Sequence, residues 1–354
     1  MLSKVEDEDT SFEKLELVGV IGFNGKIPHS LNVHPDRQHF VFALGCTVVI
    51  EEINTHKQEF LQGHTNNIVC LDVSKNGALI ASGQMTYMGY KALIIVWDYE
   101  KKAKYAEFTL HKVKVQDLSF SPNSMFLASL GGQDDGSIVI WSLEKKDAIC
   151  GSPAQHQSAG ITLATAYANR DDYKCVTAGE NTIRIWKLDL ENRKIRPTDC
   201  SLGQIKRTVL CVKVHPDDNL FFCGTTTGDI LGINMHTALL QLVYPEKSKY
   251  SLGITTITMM PNSAILLGAG DGSVQEYQMG YTQKDKRCFL SLTKNKPEKK
   301  LKGKVTSISL RGDGHQFYVA TDMCHLYRFD HADFNYELIN TCHYAAVNDI
   351  KFPR

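Results

Sequence analysis

Residues 113–141 read VKVQDLSFSPNSMFLASLGGQDDGSIVIW. The stretch holds three short runs of strand character: Val115 to Phe120, Met125 to Leu130 and Ser137 to Trp141. Ser121-Pro122-Asn123-Ser124 separates the first two and Gly131 to Gly136 the last two. Proline presets φ, while Asn and Gly tolerate the positive φ of tight turns, so each break has a backbone cause. Strands this short, joined this tightly, make a small antiparallel meander. One meander cannot bury both of its faces, so copies must stand beside it.

The chain supplies them. The apolar residue that ends the first run, Phe120, has counterparts at Val33, Val73, Tyr167, Val214, Met259 and Leu310, with a last partial copy at Phe352. Turn residues follow most of them, as in His34-Pro35-Asp36, His215-Pro216-Asp217 and Met260-Pro261-Asn262. The spacing is roughly 40 to 51 residues, near the ~40–45 of a four-stranded propeller blade. A second ruler agrees: Ser82-Gly83, Ser129-Leu130-Gly131, Ala178-Gly179, Gly224-Thr225, Gly268-Ala269-Gly270 and Ala320-Thr321 close the second runs. Third runs follow at Ile94–Asp98, Ile138–Trp141, Ile183–Trp186, Ile230–Ile233, Val274–Tyr277 and Leu326–Phe329, and all three tryptophans fall at one equivalent position. The expected fold is all-β, a seven-bladed propeller of four-stranded antiparallel blades.

These residues resemble the WD-repeat family, whose blades carry Gly-His before the first strand and Trp-Asp at the end of the third. Gly63-His64 and Trp97-Asp98 match both signatures. The resemblance implies a buried structural network of His64, Ser82, Trp97, Asp98, His111, Ser129, Asp135, Trp141 and Trp186. His111 and Asp135 could be read as an acid/base pair, but the repeat already explains their spacing. Repeats five to seven keep little beyond turn residues such as Gly228-Asp229 and Asp271-Gly272.

No catalytic, cofactor-binding or metal-ligating set emerges. There is no phosphate loop, nucleophile elbow or His-Glu-x-x-His. Gly131 to Gly136 is glycine-rich and acidic but lacks calcium-loop spacing, and a turn explains it. The 39 basic residues balance 39 acidic ones, which argues against a nucleic-acid partner, and no apolar run reaches membrane length. Ten scattered cysteines without a Cys-x-x-Cys pair fit a reducing compartment.

Two features suggest a partner surface. Residues 84–92 (QMTYMGYKA) lengthen the loop between second and third strands of repeat two, and its Tyr87, Met88 and Tyr90 either face a partner or fold back over their own blade. Residues 284–304 carry Lys284, Lys286, Arg287, Lys294, Lys296, Lys299, Lys300, Lys302 and Lys304 against Asp285 and Glu298. This basic stretch is either a solvated loop between blades six and seven or an electrostatic contact to an acidic partner.

At the ends, residues 1–13 read as an acidic disordered terminus and 14–342 as the propeller. Leu15 to Ile21 looks like a strand, and Tyr336 to Cys342 supplies a fourth strand for repeat seven. Residues 343–354 then begin a further repeat, which leads to the expectation of a longer protein with a second propeller absent from this chain.

Several segments go beyond a generic WD repeat: Val20-Ile21-Gly22-Phe23-Asn24-Gly25, Phe60-Leu61-Gln62-Gly63-His64, Asp147-Ala148-Ile149-Cys150-Gly151-Ser152-Pro153 and Gly224-Thr225-Thr226-Thr227-Gly228-Asp229. They resemble the cilia- and flagella-associated protein 52 family, also called WD repeat-containing protein 16, from Val20 onward. That resemblance implies a non-enzymatic scaffold, a microtubule inner protein touching tubulin and other inner proteins in the lumen of ciliary doublets. It implies no membrane, nucleic-acid or small-molecule partner and no cofactor. The competing expectation is a cytoplasmic WD-repeat adaptor or microtubule-associated protein that recruits soluble partners.

Overall fold

The computed structural model describes residues 17–29, 31–155, 160–284, 287–343 and 351. Among them there is no helix. Seven antiparallel sheets follow one another, each built from four consecutive strands paired in order, and a short strand, Lys299–Lys300, joins the sixth. The innermost strands are Leu31–Val33, Ile68–Val73, Val115–Phe120, Thr162–Tyr167, Val209–Val214, Ile254–Met259 and Val305–Arg311. Six of the seven neighbouring pairs pack side by side, the seventh strand against the first, while Ile68–Val73 meets blade 1 at its second strand, His39–Leu44. Six of the seven anchors read from the sequence end these strands, and Leu310 sits one residue inside the last.

Each blade lies between two neighbours, so both faces of its middle strands are covered. That is why second strands such as Phe126–Gly131, Leu220–Thr225 and Ala264–Ala269 are buried at every position and read as continuous apolar runs, not alternating ones. The core sits between blades. Ala81 and Val96 of blade 2 pack with Leu127 and Trp141 of blade 3, and Phe40 and Phe42 of blade 1 with Tyr318 and Ala320 of blade 7.

The tryptophan station is a register position. Trp97 lies opposite Ile80, Trp141 opposite Leu127 and Trp186 opposite Cys175. The same place holds Ile233, Tyr277 and Phe329 in the later blades and Glu51 in the first. All are buried, Glu51 with its carboxylate held by Gln58 at 2.7 Å.

Ring closure differs from the sequence expectation at one end. Tyr336–Thr341 is the fourth strand of blade 7, but Leu17 to Ile21, the described part of the expected strand Leu15 to Ile21, is not in a strand. Residues 1–13, 344–350 and 352–354 lie outside the described residues. Closure instead uses the bonds that join the other blades, in which a side chain on one inner strand meets the next strand's backbone. Asp72 accepts from the Phe120 N–H at 2.8 Å and Ser119 from the Tyr167 N–H at 3.0 Å. At the seam, Ser309 accepts from the Val33 N–H and Ser307 donates to the Leu31 carbonyl, both at 2.7 Å.

Residues 23–29 then seal the seam without forming a strand. Phe23 and Ile27 are buried in different inter-blade cores, and the His29 N–H reaches the Thr306 carbonyl at 3.0 Å. Gly25 passes so close to the Thr321 carbonyl that any Cβ would strike it.

Because strands alternate in direction, first-to-second and third-to-fourth turns share one face of the disc, the turn face. Second-to-third turns and blade-to-blade connections share the opposite, loop face. The 23–29 segment lies on the loop face, and its His29 lines the central tunnel there. On the turn face Lys75 of blade 2 donates to the Asn169 carbonyl of blade 4 at 2.8 Å, skipping a blade. Between them lies a cavity of about 330 Å³ lined by inner-strand residues including Asp72, Asp117 and Lys213.

Candidate functional site

Three buried networks hold the tryptophans. In blade 3 the Trp141 indole N–H donates to Ser129 Oγ at 2.7 Å, and Ser129 Oγ lies 2.6 Å from His111 Nε2. His111 Nδ1 meets the Asp135 carboxylate, which also accepts from Ser137 at 2.9 Å. A carboxylate only accepts, so Nδ1 carries the proton and Nε2 accepts from the Ser129 hydroxyl. The chain of donors runs Trp141 to Ser129 to His111, with Asp135 fixing the tautomer. Burial raises the Asp135 pKa, but the bonds from His111 and Ser137 outweigh it and hold the carboxyl below its ordinary value.

Blade 2 repeats the plan with an amide. Trp97 donates to Ser82 at 2.8 Å, Ser82 lies 2.7 Å from His64 Nε2, and His64 Nδ1 donates to Gln84 Oε1 at 2.9 Å. Burial pushes the His64 pKa down to about 4, so the ring stays neutral. In blade 4 the described residues give the last link, Trp186 to Thr177 at 2.8 Å.

Asp98 is not brought into these networks. It is the last residue of its strand, capping the Lys101 N–H at 3.0 Å and pairing with its ammonium at 3.1 Å. Backbone and side-chain bonds from Lys101 keep its pKa low. Gln84 and Thr177 complete networks without having been singled out by sequence, because neither type belongs to the signature.

Ser129, His111 and Asp135 line up as a Ser-His-Asp set would, yet chemistry at Ser129 is blocked. The hydroxyl is fully buried, and its oxygen already accepts from Trp141. The set holds strands together.

The blades without tryptophan carry other knots. Asp229, with no exposed surface, accepts from Arg207 at 3.0 Å and from Lys249 at 2.5 Å, and takes further bonds from Thr225 and Thr227. Burial raises its pKa, and these donors drive it far below the ordinary range. In blade 6 the buried Glu276 accepts from Asn295 at 2.5 Å and pairs with His331 of blade 7 at 2.7 Å. Gly228-Asp229 was legible as a turn, but its cationic partners lie about 20 residues away on either side.

The expected partner residues fall on different parts of the disc. Tyr87, Met88 and Tyr90 are 75%, 81% and 67% exposed on the loop face, so they do not fold back over blade 2. The basic stretch is not the single solvated loop between blades 6 and 7 that the sequence suggested. Its first part is strand: Ser273–Lys284 and Arg287–Lys294 pair down to Lys284 opposite Arg287, well past the end of the second strand, as an arm projecting from the turn face. Lys299–Lys300 then pair back onto Ser273 and Val274, next to the loop face. Lysines adjacent in sequence therefore sit at opposite ends of blade 6. Lys294 pairs with Glu298 at 3.5 Å, Lys296 donates to the Ala332 carbonyl at 2.8 Å, and Lys300 pairs with Asp271 at 3.5 Å. The Lys302 and Lys304 backbones are tied to Tyr327 and Asp322 while their side chains are exposed; Lys286 lies outside the described residues.

Seven four-stranded blades, two of them holding buried His-Ser-Trp networks, define a WD-repeat propeller. The chain belongs to the family of the echinoderm microtubule-associated protein first beta-propeller, which it matches over residues 57–328. It is 48% identical to the cilia- and flagella-associated protein 52 of Bos taurus over 350 residues, covering 98% of this chain and 54% of that protein. To the protein of that name from Chlamydomonas reinhardtii it is 40% identical over 345 residues, covering 96% and 54%. The chain thus spans about half the length of the curated relatives it matches. A chain of a mitotic checkpoint complex crystal structure, 18% identical, superposes with a TM-score of 0.67 over 93% of this chain and 98% of that one, which reflects the shared fold.

Proposed function

We propose that this chain is the propeller of a non-enzymatic scaffold of cilia and flagella, a microtubule inner protein that binds tubulin and neighbouring inner proteins in the lumen of doublet microtubules. The supporting observation is a match along nearly the whole chain to proteins named for cilia and flagella in organisms as distant as cattle and an alga. The structure suits the role. Many of its buried polar groups bond one strand to another, and its faces and rim are free for contact. Many modest contacts repeated along a periodic lattice hold by avidity. The remaining half of the full-length protein is proposed to form a second ring. No catalytic step, membrane or nucleic acid enters this role.

The family's name, that of a microtubule-associated protein, favours one other reading: a cytoplasmic microtubule-associated adaptor that recruits soluble partners. Fractionation separates the two. A luminal scaffold, tagged and expressed in ciliated cells, co-sediments with isolated axonemes and resists salt extraction. Recovery in the soluble or salt-extracted fraction would return the chain to the adaptor role.

A further inference from the structure

Blade 2 departs from the ring's plan in its second-to-third connection. Six residues, Met85 to Tyr90, join its strands, the most in the ring, against two in blade 1, three in blades 4, 6 and 7, four in blade 5 and five in blade 3. The loop's backbone is tied down. Met85 N–H donates to Asn67 at 2.9 Å, Thr86 N–H to Val113 at 2.6 Å, and Tyr90 N–H to Tyr87 at 3.1 Å, while Val113 N–H returns to Tyr90 at 3.1 Å.

Large apolar side chains on a fixed backbone would ordinarily be turned inward. Here Tyr87, Met88 and Tyr90 stand in water, flanked by the half-exposed Met85 and Leu110. Lysines ring them: Lys91 lies opposite Lys112 in the sheet, and Lys114 bridges to Met85. Among the described residues none of the three lysines has an ion-pair partner. On the adjoining turn Asp135 is committed to His111, with Lys112 adding a longer-range attraction, which leaves Asp134 as the exposed carboxylate there. The patch is therefore apolar at its centre, net positive at its margin and already ordered, so a ligand would not bear the cost of ordering it.

We propose that this patch is a docking surface for an acidic protein segment carrying aromatic or aliphatic side chains. Those side chains would lie among Tyr87, Met88 and Tyr90, and the segment's carboxylates would face Lys91, Lys112 and Lys114. Tyr and Met are residues that interfaces favour at their centres, and unpaired lysines at the margin select the sign of the partner. The proposal rests on the scaffold reading in taking the partner to be protein.

The test uses the folded chain and two labelled probes, a random glutamate–tyrosine copolymer and polyglutamate of equal length, by fluorescence anisotropy. The copolymer should bind more tightly than polyglutamate. Y87S/M88S/Y90S should weaken copolymer binding about tenfold or more, with the thermal midpoint unchanged. K91Q/K112Q/K114Q should weaken both probes, by a margin that shrinks as salt rises. Equal binding of the two probes to the unaltered chain, or copolymer binding indifferent to the serine variant, would overturn the surface. Axoneme retention is read separately. A surface that fails while retention holds leaves the scaffold standing, and lost retention with intact copolymer binding does the reverse.

Discussion

Ser129→Ala removes one oxygen, yet it should destabilise the ring more than a single lost hydrogen bond would suggest. Ser129 Oγ serves two buried groups, the Trp141 N–H at 2.7 Å and His111 Nε2 at 2.6 Å. The alanine variant strands both, at about 1–3 kcal/mol for each buried group left unsatisfied, or roughly 2–6 kcal/mol in all. Thr177 is the internal control, because among the described residues its hydroxyl serves Trp186 alone. Thr177→Val keeps the shape and strands one group, so about 1–3 kcal/mol is expected. A second arm isolates the indole. In Trp141→Phe the N–H is absent, so adding Ser129→Ala then strands only His111, and the double variant should be less destabilised than the sum of the singles by about 1–2 kcal/mol. Urea unfolding followed by far-ultraviolet circular dichroism supplies the midpoints without relying on the altered tryptophan. A Ser129→Ala shift no larger than that of Thr177→Val, or strict additivity in the cycle, would refute the two-partner network.

Trp141→Ala should cost about 3–5 kcal/mol, since it empties a buried site stacked on Phe108 at 4.4 Å; the same measurement on Tyr277→Ala, whose hydroxyl meets only Tyr250, should show a smaller shift. Gly131→Ala should also destabilise, because the new Cβ would strike the Asp135 carboxylate and lie 2.8 Å from His111 Nδ1; an unchanged thermal midpoint would contradict that packing. Stability against pH should be nearly flat from about 7 to 4. Burial holds His64 and His29 down to about 4, so as pH falls below about 6.5 the unfolded chain takes up protons first and stability is lost. Burial raises Asp72 to about 6 and Asp117 to about 7, so there the folded chain takes up protons first and stability is gained over the same range. Asp117→Asn should uncover the histidine loss as a steeper fall toward pH 4, and an unaltered profile would count against the opposition. Finally, replacing Lys299, Lys300, Lys302 and Lys304 by Gln should weaken pelleting with opened microtubules at low salt, less so at high salt, where the Debye length falls below about 8 Å. Equal pelleting of the variant at low salt would leave those lysines as solvating groups.

The repeat was legible because each blade must bury both faces of its middle strands against copies of itself. The same apolar anchors, small strand ends and tight turns therefore recur at one spacing, from Val33 to Leu310. His111, Ser129, Asp135 and Trp141 were legible for a related reason, since a buried indole and imidazole need fixed partners at fixed register. What only the tertiary structure decided are contacts that no repeat encodes. The 23–29 segment seals the seam through two buried side chains and a glycine pressed on a carbonyl, while an apolar run at 15–21 resembled a strand and is left without one where it is described. Asp229 gathers cations from before and after its own turn, and the 284–304 lysines divide between opposite ends of blade 6 because a hairpin carries the chain out and back. Local sequence sets strand, turn and register. Which side chains meet across the ring, and which remain in water, follows from closing seven blades into a circle.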